Sequence, residues 1–259
     1  MENLRVTVLG SGTSSGVPTI GCDCAVCLSA DPRDKRLRPS ILLSYGERRI
    51  VIDTTPDFRT QALRSGLHRL DAVVFTHAHA DHILGLDDVR PFNYRQKQHI
   101  PIYLTESVFE TVRRIFDYVF DERPHESVVP KLEVNLITEQ PFDVLGLRFE
   151  PVPLRHGRTE VYGFRIGKLA YLTDHGEIPE SSLEKLAGLD VLFLDALRYK
   201  PHPTHSTVAQ SIATAQRVGA KRTYFTHMCH DVGHVAGEAA LPEGIFLAYD
   251  GLILDMGEA

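Results

Sequence analysis

The sequence predicts an α/β fold held in one domain, and three observations carry that expectation. Apolar runs rich in β-branched residues recur along the chain, and five of them stop at a histidine or an aspartate. Between these runs lie stretches whose apolar residues recur at helical spacing. No Pro/Gly/Ser-rich linker or charge block divides the 259 residues, so one domain is expected over 1–259, large enough to bury a substantial core.

Composition narrows the class. A hydrophobic share of 43% with 24% charged residues is that of an ordinary globular protein, not a disordered one. The opening Met1-Glu2-Asn3-Leu4-Arg5 lacks a basic region followed by an apolar core, and no run of about 18 apolar residues follows anywhere. A cytoplasmic protein with no membrane partner is therefore expected. A net charge of −6 and a pI near 6.1 weigh against broad nucleic-acid binding. Four cysteines are too few for a disulfide scaffold. Three of them sit in Cys22-Asp23-Cys24-Ala25-Val26-Cys27, a spacing that suggests a metal.

Taken in order, Leu4 to Leu9 alternates like a strand and runs into the loop Gly10-Ser11-Gly12-Thr13-Ser14-Ser15-Gly16. A dinucleotide loop is rejected, because the glycines miss the G-x-G-x-x-G spacing and Pro18 stands where a helix should be under way. The loop is expected to fold over the rim of a site. The three cysteines that follow need a fourth partner for a tetrahedral metal, and His230, Cys229 and His234 are the candidates. Ser40 to Ser44 and Arg49 to Asp53 read as a hairpin, with Asp53 a turn or cap residue or a support for a ligand. Phe58 to Gly66 reads as a helix closed by its glycine, and Asp71 to Phe75 as a buried strand.

That strand hands over to Thr76-His77-Ala78-His79-Ala80-Asp81-His82, which puts four metal-binding side chains within six positions. Imidazoles suit borderline transition metals, and a carboxylate supplies the negative charge that a second nearby cation needs. Helical spacing resumes over Leu86 to Tyr94. Arg90 there and His202 farther on are weak candidates for holding a substrate phosphate. Ile100 to Thr105 reads as a strand and Glu106 to Phe120 as a helix. Leu132 to Ile137 and Val144 to Pro153 continue the strand pattern and deliver His156.

Val161 to Ile166 and Leu169 to Thr173 form a hairpin that ends at Asp174, where a carboxylate could bridge two cations, with His175 a neighbour. Asp190 to Asp195 is a strand ended by a carboxylate. His205 lies just before a helix over Thr207 to Val218 capped by Ser206, a fair place for handling a phosphate or a proton. Arg222 to Phe225 delivers Thr226-His227-Met228-Cys229-His230, and Ile245 to Leu254 closes as a hairpin centred on Asp250-Gly251. The donors then count as His77, His79 and His156 for one cation and Asp81, His82 and His227 for a second, with Asp174 between. Two metals about 3.5–4 Å apart lower the pKa of a shared water and clamp the attacking and leaving oxygens of an in-line displacement, which favours hydrolysis.

The run His77-Ala78-His79-Ala80-Asp81-His82, with single His or Asp ligands at later strand ends, resembles the metallo-β-lactamase superfamily over essentially the whole chain. The resemblance implies a single-domain αββα sandwich with its metals at one edge. Gly21-Cys22-Asp23-Cys24-Ala25-Val26-Cys27 with Thr226-His227-Met228-Cys229-His230 is similar to the phosphoribosyl 1,2-cyclic phosphate phosphodiesterases. That group implies a structural zinc on Cys22, Cys24, Cys27 and His230, the cysteines forming a loop near 21–28. It further implies two catalytic divalent cations, Zn2+ or Mn2+, and a small phosphodiester substrate. His205 becomes the residue that protonates the leaving oxygen, and Asp81 is counted with it among the catalytic residues. The likeness also suggests a homodimer. The tRNA 3′-processing nuclease shares His77 to His82 and a histidine like His205, but its Gly/Pro- and Lys-rich arm has no counterpart here. A carboxylic-ester or β-lactam hydrolase shares the ligands, and the protein of pyrroloquinoline quinone biosynthesis has a similar glycine loop and cysteine cluster.

Overall fold

The computed structural model describes residues 3–121 and 128–258. Fourteen strands are assigned among them: β1 (Asn3–Gly10), β2 (Ser40–Tyr45), β3 (Arg48–Ile52), β4 (Ala72–Val74), β5 (Ile100–Leu104), β6 (Leu132–Leu136), β7 (Phe142–Val144), β8 (Leu147–His156), β9 (Thr159–Ile166), β10 (Leu169–Leu172), β11 (Val191–Asp195), β12 (Arg222–Thr226), β13 (Ile245–Leu247) and β14 (Ile253–Glu258). They form two seven-stranded sheets, ordered β14-β1-β2-β3-β4-β5-β6 and β13-β12-β11-β10-β9-β8-β7. Seven α-helices accompany them: α1 (Phe58–Arg64), α2 (Ala80–Ile83), α3 (Arg90–Gln96), α4 (Glu106–Ile115), α5 (Glu180–Glu184), α6 (Val208–Val218) and α7 (His234–Ala239).

Side-chain alternation explains the layering. Ile50 and Ile52 of β3 face Phe164, Tyr171 and Phe193 of the other sheet in a shared core, while Val51 between them joins Phe58, Phe92 and Val108 under α1, α3 and α4. Likewise Val191 and Phe193 of β11 point between the sheets, and Leu192 and Leu194 pack beneath α5 and α6 with Leu186, Val208 and Ala215. Strands covered on both faces need near-continuous apolar runs, and these have them. The result is helix, sheet, sheet, helix, the expected αββα sandwich. Burying a side chain such as Phe193 contributes about 1.5–3 kcal/mol over leaving it in water.

Several expectations need correction. Ile245 to Leu254 is not a hairpin: β13 pairs with β12 in one sheet, whereas β14 pairs with β1 in the other. The Asp250-Gly251 turn carries a crossing between sheets, tied by Ala248 N donating to Phe225 O and Gly251 N to Val8 O. Local pattern reads a turn but not the partner of each arm. Residues 142–156 hold a hairpin, β7 and β8, turning at Leu145-Gly146, where Leu145 has φ 53°. Leu86 to Tyr94 divides into a 3-10 turn over Leu86–Val89 and α3, and Glu106 to Phe120 stops its α-helix at Ile115. The cap of α6 is Thr207 rather than Ser206: its side chain accepts from Gln210 N while the Gln210 side chain accepts from Thr207 N. Among the described residues, no helix is long and apolar enough to cross a membrane.

Candidate metal centre

The nest is built where strands end. His77 follows β4, His156 ends β8, Asp174 follows β10, and His227 follows β12, so residues far apart in sequence meet at one edge of both sheets. Three backbones turn sharply there: Asp53, Asp174 and His227 have φ of 66°, 55° and 59°. Non-glycine residues held in this left-handed region cost of order 1–3 kcal/mol each, and they gather at functional sites. Donor atoms of Asp81, His82, Asp174 and His227 lie within 4.8 Å of one another, as do those of His77, His79 and Asp174, and those of His156, Asp174 and His205. Asp174 belongs to all three groups.

Outside the nest, three of the rings are oriented by a hydrogen bond. His82 Nδ1 donates to Asp53 Oδ2 at 2.7 Å. The Thr76 hydroxyl donates to the same oxygen at 2.7 Å, which leaves it to accept from His77 Nδ1 at 3.0 Å. His156 Nδ1 donates to Thr204 O at 3.0 Å. With Nδ1 carrying the proton, Nε2 of each neutral ring presents a lone pair. His77 Nε2, His82 Nε2, His227 Nε2 and Asp81 Oδ2 are all buried without a hydrogen-bond partner. Three imidazole nitrogens and a carboxylate oxygen left unpartnered around Asp174 are a costly arrangement unless cations join them. The donor set fits two divalent metals.

Local electrostatics agree. Burial pushes the His156 ring down to about 4, which keeps it neutral and able to ligate. Burial also opposes charge on His227 and Asp81, yet Asp174 and Asp81 hold His227 at about 9, and His227 with His82 hold Asp81 below the usual carboxylate range.

His205 stands at the mouth with 10% of its side chain exposed. Its Nδ1 is 2.6 Å from Asp195 Oδ2, an oxygen that also accepts from His175 N. His175, expected as a neighbour, serves through its backbone. The ring of His202 lies 5.1 Å from that of His205. Arg90 does not join the group: Asp87 pairs with its guanidinium at 2.9 Å and the Val128 carbonyl accepts from it at 3.0 Å. The glycine loop packs against the segment after β12, with Met228 N donating to Ser11 O and Thr13 N to Met228 O.

Cys22, Cys24 and Cys27 place their sulfurs 3.1, 3.5 and 3.5 Å from His230 Nδ1. A tetrahedral zinc with bonds of about 2.3 Å to sulfur and 2.0 Å to nitrogen sets edges of about 3.5 Å, so these four fit one ion. Cys229 stands apart, its sulfur accepting from Asp231 N. Sequence reasoning underrated Asp53 and missed the grip of Asp195 on His205. Both are carboxylates at strand ends, the same signal that marked Asp174.

Residues 48–228 match the pattern of the β-lactamase superfamily domain. The chain belongs to that superfamily. This superfamily member aligns at 40% identity over 253 residues with a Porphyromonas gingivalis protein named octanoyltransferase, covering 96% of this chain and 51% of that one. The chain thus spans about half that relative's length. A crystal structure of a new diphosphatase from the PhnP family superposes with a TM-score of 0.94 at 50% identity, covering 99% of both chains, and makes this member PhnP-like. Zn2+-bound PqqB from Methylobacterium extorquens superposes with a TM-score of 0.81 at 23% identity over 97% of this chain and all of that one, a likeness of fold alone.

Proposed function

We propose that the protein is a metal-dependent hydrolase of small phosphodiesters, with a cyclic sugar phosphate such as phosphoribosyl 1,2-cyclic phosphate as the first candidate substrate. The observation that carries this reading is the orphaned donor set around Asp174, flanked by a carboxylate-held histidine at the mouth. His77, His79 and His156 would hold one divalent cation and Asp81, His82 and His227 the other, with Asp174 shared; His156 also lies within reach of His205. Bound there, Zn2+ or Mn2+ would draw charge from phosphoryl oxygens and let water ionise near neutral pH.

The chain's own residues do the rest. Asp53 and Thr76 fix the rings of His82 and His77, so the nest is preorganised before substrate arrives. Asp195 fixes the tautomer and orientation of His205, leaving the other ring nitrogen to deliver a proton to the departing oxygen. A general-acid step of this kind is worth roughly 10²–10⁴ in rate. The thiolate site is assigned a structural Zn2+.

A diphosphate linkage is the second reading, favoured by the 50% identical relative whose description is a diphosphatase. Both substrates present a phosphorus bonded to two bridging oxygens, so one site serves either. Rates measured side by side on bis(p-nitrophenyl) phosphate, a ribose cyclic phosphate, a 2′,3′-cyclic nucleotide and a nucleoside diphosphate sugar decide between them. Fastest turnover of the ribose cyclic phosphate is expected; turnover of none of the four by metal-loaded protein contradicts the proposal.

A further inference from the structure

The segment Thr226 to His230 joins the two metal sites, since His227 belongs to the nest and His230 to the thiolate cluster. Its backbone is clamped almost throughout. Ala196 N donates to Thr226 O, Met228 N to Ser11 O, Thr13 N to Met228 O, and Cys229 N to Leu197 O. Cys229 O accepts from Val232 N and also from a charged side chain, Arg36 Nη1 at 3.2 Å.

Arg36 is 1% exposed and among the largest wholly buried side chains. An arginine so placed is expensive unless its donors are used. Each of its three nitrogens has a partner: besides Nη1 at Cys229 O, Nη2 lies 3.3 Å from Asp34 Oδ1 and Nε 3.3 Å from Arg33 O. Asp34 Oδ1 in turn accepts from His234 N, at the start of α7. Arg36 also pairs its backbone with Val17, at the entrance to the cysteine loop, and its Cβ leaves no room for a side chain at Gly12 in the glycine loop. Arg36 therefore meets the cysteine and glycine loops through its backbone and Cβ, α7 through Asp34, and the joining segment through its guanidinium at Cys229 O, one residue beyond Met228 and two beyond a histidine held at φ 59°.

The geometry points to Arg36 as the positioning residue that sets His227 in the nest and couples it to the thiolate site. This rests on the nest holding cations. Arg36 touches no donor atom of either site and acts only through the carbonyl of Cys229. Its planar fork reaches Asp34 and Cys229 O at once, whereas a lysine could keep one of these contacts.

The test is a cobalt titration of wild type, R36K and R36M against a competing chelator. Thiolate-to-cobalt charge transfer reports the cysteine site, and the weaker ligand-field bands report the nest. R36M is expected to keep the thiolate band and to bind cobalt at the nest at least about tenfold more weakly, with R36K between it and wild type. A merely structural arginine would lower the unfolding temperature and leave the nest's affinity and spectrum unchanged, which overturns the inference. Should R36M not fold, R36K is the deciding arm, and wild-type affinity at its nest overturns the inference equally. Wild type without nest bands refutes the metal reading itself, an outcome distinct from either.

Discussion

Replacing Asp53 by Asn tests whether the nest is tuned from behind. Asp53 is wholly buried and only accepts: Oδ1 takes Thr76 N at 2.9 Å, and Oδ2 takes the Thr76 hydroxyl and His82 Nδ1, each at 2.7 Å. Asparagine matches its shape and tolerates the left-handed backbone at φ 66°. Its amide oxygen can still accept from Thr76 N, which leaves the NH2 facing two donors. The His82 ring can relieve that conflict by moving its proton to Nε2, which removes the lone pair aimed at the nest. Loss of such an outer partner typically costs 10–100-fold in metal affinity, or about 1.4–2.8 kcal/mol. Chelator-competition titration of D53N at neutral pH reads this directly. Affinity equal to wild type would refute the tautomer argument and the assignment of His82 as a ligand.

His205→Ala should lower turnover by about 10²–10⁴ while the metal count per chain stays at the wild-type value; unchanged turnover removes His205 from the reaction. Burial pushes the Asp250 carboxyl from 3.8 up to about 6. A folded-state value above the unfolded one stabilises the protein below about pH 4 and loses that contribution as pH rises through 6. The stability of wild type relative to D250N should therefore shrink by roughly 2 kcal/mol between pH 4 and pH 7 in urea unfolding, and a flat difference contradicts this. Cys24→Ser should bind one cation fewer and unfold at lower temperature, by about 2–4 °C for each kcal/mol of metal binding lost. An unchanged metal count would mean that Cys22, Cys27 and His230 hold the ion without it.

Much of the site was legible because metal chemistry needs few residue types and strands end in view. His77 to His82 announced themselves by density, and Asp174, His156 and His227 by standing where apolar runs stop. Asp53 and Asp195 gave the same signal, but their work depends on contacts 29 and 10 residues away in sequence, which no local pattern reports. The division of strands between two sheets was also hidden. Strands such as β3 and β11 are buried on both faces, so alternation does not say which sheet they join, and the arms beside Asp250-Gly251 proved to belong to different sheets. The short helices α5 and α7 span five and six residues, too little for a periodic signal. Arg36 was invisible because a buried arginine looks, in sequence, like any surface one.

Anomalous diffraction from crystals of the metal-loaded protein, recorded on either side of the zinc and manganese edges, tests the central claim most directly. Two peaks flanking the Asp174 carboxylate and a third among Cys22, Cys24, Cys27 and His230 are predicted. No peak beside Asp174 in crystals whose thiolate site is filled would contradict the account.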